Sequence, residues 1–412
     1  MELPATPPTK AARSIPGKIF DVLSGFGLAT VTLLLLGLLT LCATLEQVDH
    51  GLYPTLNKYF ATDWRSIFIL PDIRINGKLV PIPLPGGYWL CALLLVNLIL
   101  GGIIRIRKGW KHIGNLIAHF GIILMLAGGG VTYHFSERGN MAVWQGETSN
   151  VAEDYFEYVV EVADIKDGKT NEIHVIRGKD IDDLEESNRI FRLPDMPFDL
   201  EIGGYMGNTV PVSVAEQAPA KQQLIADGYF LMEKPELTPA EPAEKYTAGC
   251  YVRIVGRDGR KSDPFIVAGA SFQPFSYRLD DRVFTIDMRK RLWPMPFTLK
   301  LDEFTAAFHP GTMMPSKFVS KVTRIENGGE AKVTIQMNEP MRYEGLTFFQ
   351  ASYGPEGVMP GQRMYSVFEV VRNPADKWPE YSLWIVALGM AVTFLIKLAF
   401  FLGAGPRKFR NV

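Results

Sequence analysis

The sequence predicts an α-helical membrane domain of four transmembrane helices joined to a large, mostly-β extracytoplasmic domain, sandwich or barrel-like. Three observations predict it. Apolar segments at residues 25–45, 88–104, 113–133 and 383–402 each approach the ~20 residues that cross a bilayer as a helix. Residues 134–380, between the third and fourth segments, carry short runs rich in Val, Ile, Tyr, Phe and Thr, separated by turn signals. The basic residues fall on alternate links: Lys10, Arg13 and Lys18 before the first segment; Arg105, Arg107, Lys108 and Lys111 between the second and third; Arg407, Lys408 and Arg410 after the fourth. Four crossings put all three links on one side, and the positive-inside rule makes that side cytoplasmic. Both termini then face the cytoplasm, and residues 46–87 and 134–380 face outward.

The elements follow in chain order. Residues 1–24 read as a short cytoplasmic arm without much order. Residues 25–45 are too long an apolar run for a cleaved signal, and Glu46, Gln47 and Asp49 follow it rather than small residues, so it reads as a retained helix. The outer loop 46–87 predicts a short helix over 56–60 and a small hairpin over 74–81 turning at Asn76-Gly77. Helix two (88–104), a basic loop (105–112) and helix three (113–133) come next. In the β domain, strands are expected at 158–165, 172–176, 198–202, 250–255, 265–268, 283–287, 297–301, 321–325, 332–337, 346–351 and 366–371, with hairpin turns at 256–259 and 327–329. Residues 215–247, rich in Ala, Glu, Gln, Pro and Lys, read as a helical or loose insertion ending in a linker over 235–243. Leu193-Pro194-Asp195-Met196-Pro197-Phe198 echoes Leu292-Trp293-Pro294-Met295-Pro296-Phe297, through either a duplicated β-subdomain or a Pro-led strand used twice. Helix four (383–402) carries Lys397, which can snorkel to the interface, and 403–412 is a cytoplasmic tail.

Composition excludes several classes. The formal net charge of 412 residues is −1, so no field favours nucleic acid. Cys42, Cys91 and Cys250 form neither CxxC nor a zinc-ligand spacing, and no CxxCH haem-attachment site occurs. There is no Walker A loop, no G-x-S-x-G and no H-E-x-x-H, and the seven tryptophans are dispersed. Acidic pairs such as Asp280-Asp281 and Glu185-Glu186 read as surface charge. No self-contained active site is visible.

The residue that points to chemistry is His119. It lies seven positions past His112, so on the order of 10 Å into the hydrocarbon at the helical rise. His112, Asn115 and His119 are spaced i, i+3, i+7 and share a helix face that Ile122, Ile123 and Leu126 continue. An ionisable group at that depth needs a partner and a purpose. Periodicity leaves two readings open: a histidine bonding to a neighbouring helix, with Asn115 as further polar glue, or an axial ligand to haem iron. Gly128-Gly129-Gly130 reads as a packing surface. His50 and His134 read as interfacial polar residues, and His174 and His309 as structural or solvent-facing, without a second ligand nearby in sequence.

Longer stretches carry a resemblance. "LLLLGLLTLCATLEQ" leaving helix one, "HIGNLIAHFGIILMLAGG" in helix three, "MPFTLKLDEFTAAFHPGTMMPSKFVSKV" (295–322) and "NEPMRYEGLTFFQASYGPEG" (338–357), with the three-plus-one helix layout, resemble the ResB (CcsB) family of cytochrome c biogenesis proteins, known as System II. "VRNPADKWPEYS" before helix four matches only loosely, and the 215–247 insertion lies outside the family core. The resemblance implies a multi-pass protein of the bacterial cytoplasmic membrane with a periplasmic domain. Its partner would be a ResC/CcsA-type membrane protein holding the Trp-rich segment and outward histidines that this chain lacks. Together they would carry haem b outward for attachment to the CxxCH of an apocytochrome c, with thiol-reducing proteins as further partners. The chain would be a subunit, not catalytic alone, of a cytochrome c synthetase (haem lyase) complex. The family's transmembrane histidine matches His119 in "AHFG", which implies a haem axial ligand there, with Asn115 and His112 on the same face. The residues themselves leave two other classes open: a β-domain assembly factor or receptor without haem, and a b-type electron-transfer cytochrome.

Overall fold

The computed structural model describes residues 14–72, 74–75, 78–79, 81–166, 169–219, 223–234, 245–271, 273–311, 315–326, 328–355 and 363–403. Lys10, Arg13, Arg407, Lys408, Arg410, Asn76-Gly77, Asn327 and the expected linker 235–243 lie outside the described residues. The chain divides into two compact units, Met1–Ser136 with Asn373–Val412, and Glu137–Arg372.

In the first unit, α1 (Ile15–Leu23) is a short helix where an unordered arm was expected. Pro16 lies in its first turn, where a missing N–H costs nothing. Ser24 ends it, its N–H and hydroxyl both donating to the Phe20 carbonyl at 2.9 and 2.6 Å. After this break α2 (Phe26–His50) begins, and α3 (Leu52–Phe60) follows across Gly51 at φ +81°. The outer loop adds β1 (Phe68–Ile69), β2 (Arg74–Ile75), β3 (Lys78–Leu79) and β4 (Leu84–Pro85), pairing β1 with β4 and β2 with β3. Next, α4 (Gly87–Asn97) runs on as a π-helical stretch over Leu98–Ile104. A 3-10 turn, Trp110–His112, leads into α5 (Ile113–Phe135), and α6 (Trp378–Gly403) completes the unit. Among the described residues, four helices are long and apolar enough to cross a membrane: Phe26–His50, Gly87–Ile104, Trp110–Phe135 and Trp378–Gly403. The chain is a membrane protein.

The first of these outlasts its apolar run. Glu46 extends it because the fold supplies partners: Lys58 Nζ donates to its carboxylate at 2.5 Å, the Tyr59 hydroxyl at 2.8 Å and the Asp72 N–H at 2.9 Å. Burial, then the bond to Glu46, pushes the Tyr59 hydroxyl well above the usual tyrosine range. Removing the carboxylate takes the acceptor from the buried Tyr59 hydroxyl and the counter-charge from Lys58. Glu46→Ala is therefore expected to destabilise the unit by about 3 kcal/mol. Thermal melting of the detergent-purified protein checks this, and a melting point within error of wild type would refute it.

α5 and α6 pack through glycine. Gly114, Gly121 and Gly128 recur every seven residues on α5. A Cβ at Gly114 would meet the Gly389 carbonyl oxygen at 2.5 Å, one at Gly121 would meet Val386 at 2.7 Å, and one at Gly128 would meet Trp378 at 3.1 Å. Small residues let backbones approach this closely in lipid. Of the three glycines expected to pack, only Gly128 does so here; Gly129 and Gly130 face open space.

The second unit is β throughout its named elements apart from one 3-10 turn. Its strands are β5 (Glu137–Trp144), β6 (Thr148–Lys166), β7 (Lys169–Ile176), β8 (Asn188–Phe191), β9 (Phe198–Met206), β10 (Thr209–Ser213), β11 (Tyr229–Glu233), β12 (Gly249–Gly256), β13 (Phe265–Ala268), β14 (Phe275–Leu279), β15 (Arg282–Phe308), β16 (Pro315–Glu326), β17 (Gly329–Gln336), β18 (Met341–Tyr343), β19 (Leu346–Gly354) and β20 (Tyr365–Arg372). Among the described residues a ten-stranded sheet runs β17-β16-β15-β6-β5-β20-β19-β18, with β14 on β15 and β7 on β6; it does not close into a barrel. A four-stranded sheet runs β13-β12-β9-β8, and β10 pairs with β11. The insertion thus contributes a strand, β11, where helix or loose chain was expected.

Among the described residues two large cores share β6 and β15, beside a small third cluster of Ala226, Leu231, Tyr251 and Ala268. One gathers Val160, Val162, Phe198, Leu200, Cys250, Phe284 and Ile286. The other gathers Met141, Val143, Trp293, Leu299, Phe348, Phe368 and Val370. The sequence echo feeds both: Met196 and Phe198 enter the first, Met295 and Phe297 the second. Their backbones differ, since Met196 precedes β9 whereas Met295 lies inside β15.

A buried carboxylate pins this unit. Asp164 on β6 accepts from Arg282 Nη2 at 2.7 Å and Nε at 3.3 Å, and from Asn171 at 3.3 Å. The Arg282 hydrogen bonds hold its carboxyl below the usual range. A lowered folded value gives stability that is complete above the unfolded pKa of about 3.9 and is lost as pH falls through the folded one. Asp164→Asn is therefore expected to flatten the acid limb of melting temperature against pH. An unchanged acid limb would assign that limb to other carboxylates.

Candidate functional site

His119 sits in the first half of α5 with its ring against α4's continuation. A Cβ at Gly102 would lie 3.1 Å from the ring Cγ and 3.3 Å from Cδ2, so any side chain there would press on the imidazole. The π-helical stretch holds this pair in place. Arg105 N–H donates to the Leu100 carbonyl at 2.9 Å, a five-residue span, and turns Gly101-Gly102 toward the neighbouring helices.

A cavity of about 380 Å³ opens beside the ring. Phe26, Leu94, Leu98 and Ile122 give it apolar walls, and Ser24 and Asn97 lend the polar edge. Asn97 is buried, and its side-chain N–H groups donate to the Leu23 and Gly25 carbonyls at 2.7 and 3.0 Å, satisfying the break between α1 and α2. His119 Nδ1 is buried and has no hydrogen-bond partner among the described residues. An unmet buried ring nitrogen carries a free-energy cost in hydrocarbon, which ligation or a partner group would relieve. The volume falls within the range of about 300–1,000 Å³ that small-molecule sites occupy. One imidazole, a glycine bed and apolar walls are a lining that would suit the flat, largely apolar macrocycle of a metalloporphyrin, with His119 as the residue that would hold its metal.

The other residues singled out from the sequence are placed elsewhere. Asn115 is exposed and accepts from Thr393 Oγ1 on α6 at 3.0 Å, away from the ring. His112 is half-buried in the turn that starts α5. Among the described residues, His119 lines the cavity, and His112 and Asn115 are not in its lining. His50 Nε2 lies 3.2 Å from Asp72, and His134 Nε2 lies 3.2 Å from the Tyr88 hydroxyl with the Tyr133 ring edge-on. His309 is exposed. His174 does acquire neighbours: its ring nitrogen, Glu172 and Asp195 place ligand atoms within 4.8 Å of one another. Glu172 and His174 share a strand face at i, i+2, a signal present in the sequence, whereas Asp195 arrives by folding.

Sequence reasoning missed Gly101, Gly102, Asn97 and Ser24. Glycine pairs in membrane helices were a usable signal, but which side chain each one admits depends on the opposite helix.

Comparison with known proteins places two stretches of this chain. The ResB-like family matches residues 106–170 and 261–360. The first stretch contains His119 and the whole of α5. Protein NrfI of Wolinella succinogenes is 22% identical over 271 residues, 64% of this chain and 26% of that protein. The chain thus spans about a quarter of the length of that curated relative. The resemblance to the ResB family read from the sequence is borne out.

Proposed function

We propose, from the premise that this ResB-like chain is a membrane protein, that it acts in cytochrome c biogenesis as the haem-carrying and scaffolding subunit of a two-protein synthetase. The observation that carries the reading is His119: an unpartnered imidazole nitrogen at membrane depth, on a glycine bed beside an apolar cavity, inside a family-matched stretch. The basic link Arg105 to Lys111 is cytoplasmic in this reading, so the cavity, lined by Ser24, Gly101 and Gly102 near that link, lies toward the side where haem is made. His119 would hold the iron from this chain's side through its ring nitrogen. A ResC/CcsA-type partner would hold it from the other side and has the outer-surface site.

The attachment chemistry asks little of this chain. A cysteine S–H adds across a haem vinyl C=C, forming one C–S and one C–H bond with no leaving group. Reduced thiol and reduced haem are supplied by other proteins, and holding the two together is the main contribution. The outer β unit positions the partner or the apocytochrome.

The test is the visible spectrum of the protein purified with and without its partner. Haem present only in the complex supports the proposal. Haem absent from both preparations favours a receptor or assembly factor, and stable, redox-cycling haem in the isolated chain favours a b-type cytochrome.

A further inference from the structure

Three residues one helical turn apart on α4 and its continuation serve a single spot. Asn97 donates to the Leu23 and Gly25 carbonyls. Gly101 lets the Ser24 carbonyl approach so closely that a Cβ there would lie 2.7 Å from it. Arg105 Nη1 donates to Ser24 Oγ at 2.8 Å. Ser24 in turn lines the cavity beside His119. The α1–α2 break is thus held at the cavity's end, and a guanidinium is fixed just behind its rim.

The cargo in the reading above is a dianion: haem carries two carboxylates on one edge. Among the described residues that line the cavity there is no Lys or Arg. Bringing a carboxylate to such a site without a counter-charge is costly, and the cation bonded to the lining is Arg105. Its present acidic partner is a weak competitor, since Asp21 lies 3.6 Å away with the arginine side chain nearly half exposed. A guanidinium has five donors, so bonds to Ser24 and the Asp21 carbonyl leave others free. The uncapped start of α2 at Gly25, beside the same cavity, adds partial charge of the same sign.

We propose that Arg105, steered by Ser24 and held in reserve by Asp21, takes a carboxylate of the porphyrin at this end of the cavity. The proposal rests on the haem-carrying reading. It makes Arg105 a recognition residue for the cargo's acid edge, as His119 is for its iron.

The experiment titrates the complex, purified with its partner from haem-depleted cells, with haem and with haem dimethyl ester, following the Soret band. Wild type is expected to prefer the free acid by about tenfold or more, the scale of a charge-assisted hydrogen bond. Arg105→Gln is expected to bind both forms alike, at the ester's affinity and with an unchanged Soret position, and Arg105→Lys to recover part of the preference. Asp21→Asn, which leaves the arginine in place, is expected to widen it. The proposal is overturned if Arg105→Gln keeps the wild-type preference, or if it weakens both forms equally, which is what a corner-holding arginine would do. Should Arg105→Gln fail to fold, an unchanged preference in Asp21→Asn overturns it. A lipid phosphate as the true ligand would show as altered bound phospholipid in Arg105→Gln with the acid preference intact. Wild type that binds neither form refutes the parent reading instead, and His119→Gly separates the two by losing the ligated Soret band for both forms.

Discussion

The complex carrying His119→Gly is expected to lose its haem Soret band, and added imidazole is expected to restore it. Among the described residues, only one ring in the cavity lining offers a metal-binding nitrogen, so under the proposed function glycine there removes the ligand this cavity would give the iron. Gly102 opposite has no side chain to collapse into the gap, so the vacated space keeps the shape of an imidazole. That is why glycine, rather than a filling residue, is the informative replacement. Ligation and apolar burial act together at such a site, and losing the bond is expected to lower retained haem about tenfold or more. Asn115→Ala supplies the control. Its side chain is committed to Thr393, so haem content is expected to stay at the wild-type level. Retention of a wild-type spectrum by His119→Gly would take the residue off the haem route altogether.

How much of this was legible varies from element to element. The membrane helices were, because a 20-residue apolar run has few alternative fates. Their ends were not: α2 continues to His50 because Lys58, Tyr59 and Asp72, distant in sequence, neutralise and hydrogen-bond Glu46. Strands with alternating Val and Phe were legible, such as β13 and β20. β5 was missed because Arg138, Gly139 and Asn140 open it, and its apolar Met141 and Val143 appear only later. β15 reads as two strands, since Pro294 and Pro296 interrupt it. In the fold one continuous strand passes them: Pro294 stays in register with Val151 of β6, and the register slips between Pro294 and Leu299, the stretch that holds Pro296. His119 stood out as an ionisable group in an apolar run. Its surroundings did not, because they consist of what glycine lacks on a different helix.

The α5–α6 seam yields the largest expected effect on stability. A Cβ at Gly389 would lie 2.5 Å from the Ala118 N and 2.6 Å from the Gly114 carbonyl oxygen. Both are backbone atoms of a continuous helix and cannot rotate aside as a side chain would. Gly389→Val must therefore spread the two helices along the seam that Gly114, Gly121 and Gly128 also form, at a cost of about 3 kcal/mol or more. In the detergent-purified protein this is expected to lower the melting temperature by roughly 5 °C or more. Gly129→Ala is the matched control, since a Cβ there meets nothing within 4 Å and a glycine in a helix gains propensity on substitution. A wild-type melting temperature in Gly389→Val would mean that the helices are not in contact at this point. The clash also reaches the chemistry: Ala118 directly precedes His119, so moving α5 off α6 shifts the ring against Gly102. Haem content in Gly389→Val is accordingly expected to fall although the substitution touches no cavity-lining residue, and Gly129→Ala is expected to leave it intact.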